Sequence, residues 1–321
     1  MIEPIPGPPE VEPPRRREAE PWTVFCLVFV ITCVSFVLVG PFIGLAVAFP
    51  FYDGKAIDYF NDIADPFENE QMKSLLMLVQ ACATFFGLAV IPVLFWRSLK
   101  HKSIFTLVKK NPVKPIFFLM IIGIVIFFMG PNSVFMEWNS NINLPDGPFE
   151  DWVRNTEDRA AELTKYMTSF STGWEYLIGV IVIAVLAAVG EEVVFRGMLQ
   201  PELQKGLKNI HAGIWISAIF FSAFHLQFYG FVPRVLLGAL FGYLYYWSGN
   251  LIVPMFAHFI NNFFAVTVIY MGMEDLTGTE GKDPTGMPWY AVLVFTALCG
   301  MLMYQFYKMQ PKRFSVDDVG A

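Results

Sequence analysis

The sequence predicts an all-α, polytopic membrane protein with about eight transmembrane helices. Of its 321 residues, 55% are hydrophobic and only 16% are charged, whereas soluble domains are nearer a quarter charged. Several apolar runs reach the ~20 residues that a helix needs to cross about 30 Å of hydrocarbon. The expected spans are residues 22–50, 74–96, 115–130, 174–198, 210–226, 231–247, 251–271 and 288–307.

The charges between these spans alternate in sign along the chain. Basic residues precede the first span, fill the loop 97–114 and follow the last span, while acidic residues dominate the loops in between. Basic loops tend to remain cytoplasmic, so a chain with eight spans has both termini in the cytoplasm. The short loops and the polar N-terminus favour an integral protein of a bacterial inner membrane.

This pattern divides the chain into five regions. A proline-rich tail, 1–21, is expected to be disordered and cytoplasmic, and membrane helices occupy 22–130. The extracytoplasmic loop 131–173 has an amphipathic pattern, which predicts a helix on the membrane surface or a lid that guides a substrate. A membrane core covers 174–271, and 272–321 holds an outer loop, the last membrane helix and a short cytoplasmic tail.

Two adjacent carboxylates and an arginine interrupt the apolar run 184–200 in the motif EEVVFR. A carboxylate in the bilayer core costs a few kcal/mol even on lenient scales. Glu192 and Arg196 are four residues apart on one helical face, a spacing that favours an ion pair. Glu191 lies about 100° away around the helix. A salt bridge at a helix end would explain the pair but not Glu191.

Further polar groups lie in two later apolar segments. His225 ends the segment FFSAFH, and His258 and Asn262 are four residues apart in HFINN, on one helical face. Hydrogen bonding at the interface would be a sufficient role for His225, and a polar packing network would be one for His258 and Asn262. Together with Glu191, however, these groups form a set with chemical uses.

This set suits two kinds of chemistry. A carboxylate in a low-dielectric site can act as a general base on water, helped by a histidine, while a second histidine and an amide donate hydrogen bonds to an oxyanion. Alternatively, Glu191, His225 and His258 provide two nitrogens and an oxygen, which can hold zinc. The sequence contains neither HExxH nor GxSxG, motifs typical of a helical zinc site and of a serine nucleophile.

The three motifs in order resemble the CPBP family of intramembrane endopeptidases, which contains the CAAX prenyl proteases and Abi-type proteins. The family pattern is EExxxR, FxxxH and HxxxN on separate spans, here at 191–196, 221–225 and 258–262. The resemblance covers about residues 174–266. It implies Glu191 as the base that activates water and His225 as its partner, with His258 and Asn262 stabilising the oxyanion. Glu192 and Arg196 would support these groups.

The resemblance thus implies a glutamate-type intramembrane peptidase acting on a membrane-associated or lipidated protein or peptide, with CAAX-type proteins as one substrate class. Membrane lipid is the other expected partner, and nucleic acid is not one. No cofactor is expected, and a divalent metal such as zinc is the alternative. The catalytic groups should lie on three consecutive spans of the C-terminal half. Glu191 follows Tyr176 by about 22 Å of helix, so we expect the site to open towards the cytoplasm.

Two other classes of function remain open at this point. A non-catalytic membrane binding protein, such as a bacteriocin-immunity factor, could use the same motifs for packing. A transporter could also carry intramembrane charges. Its ionisable groups would not be expected in only one half of the chain, and no inverted repeat is visible.

Overall fold

The computed structural model describes residues 19–101, 103, 112–273 and 287–310. Most of the predicted disordered tail, most of the basic loop, the acidic residues of 274–283 and the C-terminal tail lie outside these residues. In the described part every regular element is a helix. The ten helices are α1 (Pro21–Phe51), α2 (Ala56–Ala64), α3 (Glu70–Lys100), α4 (Pro115–Ser140), α5 (Pro148–Thr168), α6 (Gly173–Leu207), α7 (Ile210–Ala223), α8 (Phe231–Ser248), α9 (Ile252–Tyr270) and α10 (Trp289–Lys308).

The predicted all-α, polytopic membrane fold is confirmed. Six of the described helices, α1, α3, α4, α6, α9 and α10, are long and apolar enough to cross a membrane. The other two predicted spans, 210–226 and 231–247, also form helices, but α7 has only 14 residues and α8 has 18. At 1.5 Å per residue, α7 covers about 21 Å, less than the thickness of the hydrocarbon layer.

The first span is one continuous helix that passes through Gly40 and Pro41. A π-helical stretch, Ser35–Val39, precedes them and absorbs the backbone hydrogen bond that the proline cannot donate. A Cβ at Gly40 would stand 2.7 Å from the Cα of Ala83 on α3. The glycine therefore allows α1 and α3 to pack backbone against backbone.

Helix α6 is the central element, and every residue of 190–204 is buried. Its second half packs against α1, α3 and α7 in a cluster that includes Val24, Trp96, Phe195, Leu199 and Phe221. On another side, α4, α8, α9 and α10 share a second apolar cluster. These layers remove the middle of α6 from lipid as well as from water.

Helix α8 packs closely through the two glycines of its small-xxx-small pattern. A Cβ at Gly238 would lie 3.1 Å from the Cβ of Ala218 on α7, and one at Gly242 would lie 2.8 Å from Ile214. The two glycines therefore let α8 lie close against α7. The close approach carries the carbonyl of Gly238 to the polar centre of α6.

The helix predicted within 131–173 is formed as α5, which follows α4 and precedes α6; its place on the membrane surface stays a prediction. The Nη2 group of Arg159 donates to the carbonyl of Ala64, 2.7 Å away, and Tyr166 donates to the carbonyl of Asn69. Nearer its start, the carboxylate of Glu157 accepts a 2.8 Å bond from the backbone N–H of Tyr229. The helix is thereby tied to the α2–α3 connection and to the connection that follows α7.

Candidate active site

The three motifs meet around the middle of α6. Glu191 is the nineteenth of the 35 residues of this helix. Its Oε2 atom lies 4.0 Å from Nε2 of His225 and 3.9 Å from Nε2 of His258. The side chain of Glu191 is 12% exposed, that of His258 5% and that of His225 30%. A carboxylate and two imidazoles thus converge on one small, largely buried space.

Glu192 holds two of the other motif residues in place. Its Oε1 atom accepts from Nη1 of Arg196 at 2.8 Å and contacts Nδ1 of His258 at 2.9 Å. Glu192 and Arg196 are both almost fully buried. The predicted ion pair is therefore formed, and it also extends to a histidine on α9.

Arg196 is fixed from α7 and α8 as well. Its Nη2 group donates to the carbonyl of Gly238 at 2.7 Å. The guanidinium lies over the ring of Phe221, with its carbon 4.6 Å from the ring centroid, and a cation–π contact of this kind is stronger when it is desolvated. Arg196 therefore links α6 to both neighbouring helices without contacting the space between Glu191 and the two histidines.

The ring of His225 is oriented by its own helix. Its Nδ1 atom lies 3.0 Å from the carbonyl of Phe221. A carbonyl only accepts hydrogen bonds, so Nδ1 carries the hydrogen. In the neutral ring, Nε2 then presents a lone pair on the side of Glu191.

Glu191 differs from its neighbour in its contacts. Oε1 of Glu192 contacts Arg196 and His258, whereas no hydrogen bond joins the side chain of Glu191 to another described residue. In the described part of the chain, Oε2 of each carboxylate is buried without a partner. Separations of about 4 Å to the two Nε2 atoms are too long for direct hydrogen bonds, but a water molecule can bridge groups at such a spacing. The geometry leaves room for a bridging molecule between the carboxylate and the imidazoles.

Asn262 lies one helical turn beyond His258 on α9. Its Nδ2 atom donates to the carbonyl of Ile183 at 3.2 Å, and its Oδ1 atom accepts from Nδ2 of Asn261 at 3.1 Å. Among the described contacts none joins Asn262 directly to Glu191 or to either histidine. The structure therefore places the amide beside the cluster, with a second N–H available.

Comparison with known proteins supports the reading of these motifs. Residues 173–264, under a third of the 321, match a family model described as "Type II CAAX prenyl endopeptidase Rce1-like". The predicted resemblance to CAAX proteases is confirmed. The match spans Glu191, His225, His258 and Asn262, and we call residues 173–264 the Rce1-like segment.

One curated relative is the "Uncharacterized protein YpbD" of Bacillus subtilis (strain 168). It is 36% identical over 85 residues, which are 25% of this chain and 40% of the relative. The chain therefore spans less than half the length of this relative. No solved structure gives a significant match.

The backbone of the Rce1-like segment widens on both sides of the carboxylates. Val180–Leu186 and Val193–Leu199 are π-helical, and the α-helical stretch Ala187–Glu192 lies between them. Wide turns of this type occur often at functional sites. The π-helical turn at Ile183 also contains the carbonyl that accepts from Asn262.

The site differs from the sequence-based expectation in one respect. The three motifs are not on consecutive helices, because they lie on α6, at the end of α7 and on α9. Helix α8 comes between the last two, and it contributes the carbonyl of Gly238 and the ring of Phe241, which stacks on His258 with centroids 5.0 Å apart.

The most exposed member of the cluster, His225, lies at the end of α7 remote from the basic loops. The connection that follows it, 224–230, contacts α5 through Glu157 and the last turn of α4 through Asn139, whose Nδ2 atom donates to the carbonyl of Phe228. The exposed edge of His225 therefore lies beside the acidic segments, and the expected opening towards the cytoplasm stays a prediction.

The fit of the cluster to a metal can be assessed from its distances. Zinc binds nitrogen and oxygen at about 2.0–2.2 Å, which puts tetrahedral ligand atoms roughly 3.3 Å apart, and here the atoms are 3.9 and 4.0 Å apart. Among the described residues, no group of three or more His, Cys, Asp and Glu is arranged to hold a metal ion. The nitrogen and oxygen donors are of types that bind zinc, but the three side chains would have to move closer together to hold one ion. Metal-free chemistry therefore stays a prediction.

Sequence reasoning did not single out one charged residue near the site. Arg234 lies in the first turn of α8, and its Nη2 atom donates to Oε1 of Gln227 at 2.9 Å. It falls outside the three motifs, so only its position as a charge inside a predicted span could have drawn attention to it.

Proposed function

We propose that this protein is an intramembrane endopeptidase that hydrolyses a peptide bond of a membrane-associated or lipidated substrate, with CAAX-type proteins as one substrate class. The observation that carries the proposal is the unpartnered Oε2 atom of Glu191, which faces Nε2 atoms of His225 and His258 at about 4 Å. A buried carboxylate without a partner is costly, so its retention favours a use in chemistry.

The reaction begins with a water molecule bound between Glu191 and His225. One O–H group donates to the Oε2 atom of Glu191, and the other donates to the lone pair on Nε2 of His225. Glu191 takes the first proton as the water oxygen attacks the carbonyl carbon of the substrate. The carbonyl oxygen becomes an oxyanion, and no covalent bond forms between the substrate and the protein.

The oxyanion is stabilised from α9. The free N–H of the Asn262 amide is one donor. His258 is the second. Glu192 accepts from its Nδ1 atom at 2.9 Å and holds the ring so that Nε2 faces the space beside Glu191, and Nε2 donates when both ring nitrogens carry a hydrogen. Donors held in advance at a developing charge contribute strongly to catalysis in a site that excludes water.

Glu191 completes the reaction as a general acid. The proton that it took from water passes to the nitrogen of the scissile bond as the C–N bond breaks. The remaining hydrogen of the attacking water, which donates to Nε2 of His225, passes through this nitrogen to the released amine. The products are a carboxylate and an ammonium group, and Glu191 is again ionised. Glu192 and Arg196 keep their charges throughout, because their roles are to position His258 and to join the helices.

The substrate class rests on the setting of the site. The protein is an integral membrane protein, and the matched family is one of prenyl endopeptidases. A cluster at the middle of a long membrane helix can be reached by a peptide that is anchored in the same membrane. We place the protein in a bacterial inner membrane, with both termini in the cytoplasm because of the charges of its loops.

The test compares new protein termini in membranes of native cells that produce wild-type protein or Glu191→Gln at equal levels. The proposal predicts termini that are present with the wild type and lost with the variant, and these would identify the substrate. The control is Glu68→Gln, the same change at an exposed residue just before α3, which should leave the termini unchanged. Unchanged termini with a deletion phenotype that Glu191→Gln rescues would favour a non-catalytic binding or bacteriocin-immunity protein.

A further inference from the structure

An apolar cavity lies between α3 and α6, and none of its lining residues belongs to the three motifs. Its volume is about 270 Å³, and side chains of α3, the end of α5 and the first half of α6 line it. The buried side chains of Met77, Met167 and Val182 form part of its wall. Apolar atoms that face a void lose dispersion contacts, so an apolar group bound in the cavity would stabilise the protein.

The cavity opens sideways between two membrane helices. Ser74 on α3 and Ile178 on α6 line it, and both are exposed. Its lining residues on α3 extend from Lys73 to Ala81, which is about 12 Å of helix at 1.5 Å per residue. The cavity is therefore elongated along the helices, and an alkyl chain of a neighbouring lipid can enter it from the side.

A lysine and a glutamate mark one end of the cavity. The Nζ atom of Lys73 donates to Oε2 of Glu175 and to the carbonyl of Ser169, both at 2.8 Å. The same Oε2 atom accepts from the backbone N–H of Ser171 at 3.1 Å. The two charged side chains are still 18% and 32% exposed. Because an ammonium has three donors and a carboxylate about four acceptor positions, each group can bind one further partner.

This charged end lies at the level expected for lipid headgroups. Lys73 is in the first turn of α3 and Glu175 in the first turn of α6, and both helices are long enough to cross a membrane. The adjacent Trp174 is 69% exposed, and tryptophan is enriched at the membrane–water interface. The apolar part of the cavity therefore extends from the headgroup level towards the acyl chains.

We propose that this cavity binds one acyl chain of phosphatidylethanolamine, with the phosphate of the lipid at Lys73 and its ammonium at Glu175. The ion pair has no net charge, so a purely anionic headgroup at Lys73 would be repelled by the carboxylate beside it. A headgroup with both charges gives each side chain a charge-assisted hydrogen bond. Phosphatidylcholine has the same charges, but its quaternary nitrogen has no N–H to donate.

The bound chain also supports a backbone turn that contacts the candidate active site. Val182 lines the cavity, and the carbonyl of the next residue, Ile183, accepts from Nδ2 of Asn262 at 3.2 Å. Both residues belong to the π-helical stretch Val180–Leu186. The lipid should therefore stabilise the turn that positions Asn262 and raise the activity. This consequence rests on the proposed peptidase function, whereas the binding of the lipid does not.

The first experiment measures lipid binding by the full-length protein in detergent. Phosphatidylethanolamine, phosphatidylcholine and phosphatidylglycerol with the same acyl chains are added separately, and bound lipid is counted by native mass spectrometry. One phosphatidylethanolamine should bind at an at least about tenfold lower concentration than either other lipid. Ala81→Leu, which fills the cavity and keeps the ion pair, should abolish this binding. Ala297→Leu, at an exposed alanine of α10, is the matched control and should keep it.

The second experiment tests the headgroup contacts. Glu175→Gln removes the partner of the ammonium and the repulsion of an anionic headgroup, so the preference for phosphatidylethanolamine over phosphatidylglycerol should be lost. Glu162→Gln, the same change in the exposed ion pair with Arg159 on α5, should keep the preference. Thermal unfolding gives a second readout, because a ligand of the folded state raises its midpoint. Phosphatidylethanolamine should raise the midpoint of the wild type and Ala297→Leu but not that of Ala81→Leu.

The third experiment measures cleavage of a peptide with an S-farnesyl cysteine fourth from its free C-terminus. The protein is placed in nanodiscs of phosphatidylglycerol, with and without phosphatidylethanolamine. The zwitterionic lipid should increase cleavage at least about fivefold in the wild type and in Ala297→Leu, but not in Ala81→Leu. Cleavage that does not depend on this lipid would overturn the link between the cavity and Asn262.

The outcomes separate the lipid site from the proposed function. Equal binding of the three lipids to the wild type, or undiminished binding to Ala81→Leu, would overturn the site even if Glu191-dependent cleavage is observed. Displacement of the bound lipid by the farnesyl peptide would also overturn it and assign the cavity to the substrate. Selective binding of phosphatidylethanolamine without cleavage in any membrane would support the lipid site and contradict the peptidase.

Discussion

The Oε1 atom of Glu192 lies 2.9 Å from Nδ1 of His258, so a carboxylate on α6 accepts a hydrogen bond from an imidazole on α9 and fixes the orientation of its ring. The same oxygen accepts from Arg196 at 2.8 Å. The neighbouring Glu191 has an oxygen with no partner among the described residues. The two adjacent glutamates therefore differ in their contacts, because only Glu192 has a described ion pair with an arginine and a hydrogen bond to a histidine, and the proposed mechanism assigns them different roles.

Replacement of Glu192 should destabilise the fold more than replacement of Glu191. Glu192→Gln leaves the buried Arg196 without its counter-ion, which typically costs about 3–5 kcal/mol. Glu191→Gln should cost less than about 1 kcal/mol, because the carboxylate has no described hydrogen bond and faces the two imidazoles only at about 4 Å. Thermal unfolding of both variants in the same detergent measures the difference. Equal midpoints for the two would contradict the division of roles.

Removal of the whole buried ion pair should restore stability without restoring activity. In Glu192→Leu combined with Arg196→Met, no unpaired charge remains, and such replacements are often neutral or stabilising. The double variant should unfold at a higher temperature than Glu192→Gln. It should remain inactive, because His258 has lost its partner. An active double variant would show that Glu192 does not prepare His258 for the reaction.

Asn262→Ala should reduce kcat by about 10²–10³, the usual effect of losing one oxyanion donor. Its stability should fall by only ~1 kcal/mol, since the one well-defined bond of its amide nitrogen is to the carbonyl of Ile183. Asn261→Ala is the matched control, because Asn261 only orients Asn262, and its kcat should fall less than tenfold. The assignment of Asn262 fails if the two variants have the same activity.

Gly238→Leu should lower both stability and activity. Ala218 and Phe221 lie within about 3.1 Å of the Cβ position, so α8 must move away and take the carbonyl that binds Arg196 with it; overpacking costs typically 1–3 kcal/mol. Gly300→Leu on α10 tests the size of the side chain alone, because none of the described residues comes within 4 Å of its Cβ position. It should retain wild-type stability and activity, and a similar loss in both variants would rule out the contact explanation.

Cleavage should persist after treatment with EDTA and 1,10-phenanthroline. The Nε2 atoms of His225 and His258 are about 4 Å from Glu191, farther than ligand atoms of one zinc ion stand from each other. Activity before and after chelation, with the metal content measured in parallel, provides the check. Loss of activity that one equivalent of zinc restores would instead assign Glu191, His225 and His258 as metal ligands.

The sequence was sufficient to predict the helical membrane fold and the contact between Glu192 and Arg196. Each can be read within one short segment. The length of an apolar run predicts a membrane helix, and a spacing of four residues predicts the contact on one helical face. The convergence of Glu191, His225 and His258 could be predicted only through the resemblance to a family, because these residues are far apart in the chain. The contact of Glu192 with His258 joins residues 66 positions apart, and no local pattern encodes it.

Other features depend on packing that a single sequence does not display. The position of His225 beside the acidic segments follows from the early end of α7 and from the contacts of Asn139 and Glu157 with the connection 224–230. The position of Arg234 depends on the space at Gly230 and on Gln227. On a hydropathy scale an arginine only makes the insertion of a span less favourable. The scale does not show which residues the side chain contacts.

The short α7 has a consequence for the supply of water. With 14 residues it extends about 21 Å, so its end and His225 fall roughly 10 Å short of the far boundary of a 30 Å hydrocarbon layer. The polar backbone of 224–230 cannot face lipid at that depth and has to be enclosed by protein or wetted. A hydrolase consumes one water molecule in each turnover. An early helix end shortens the path by which that molecule travels from the aqueous phase to Glu191.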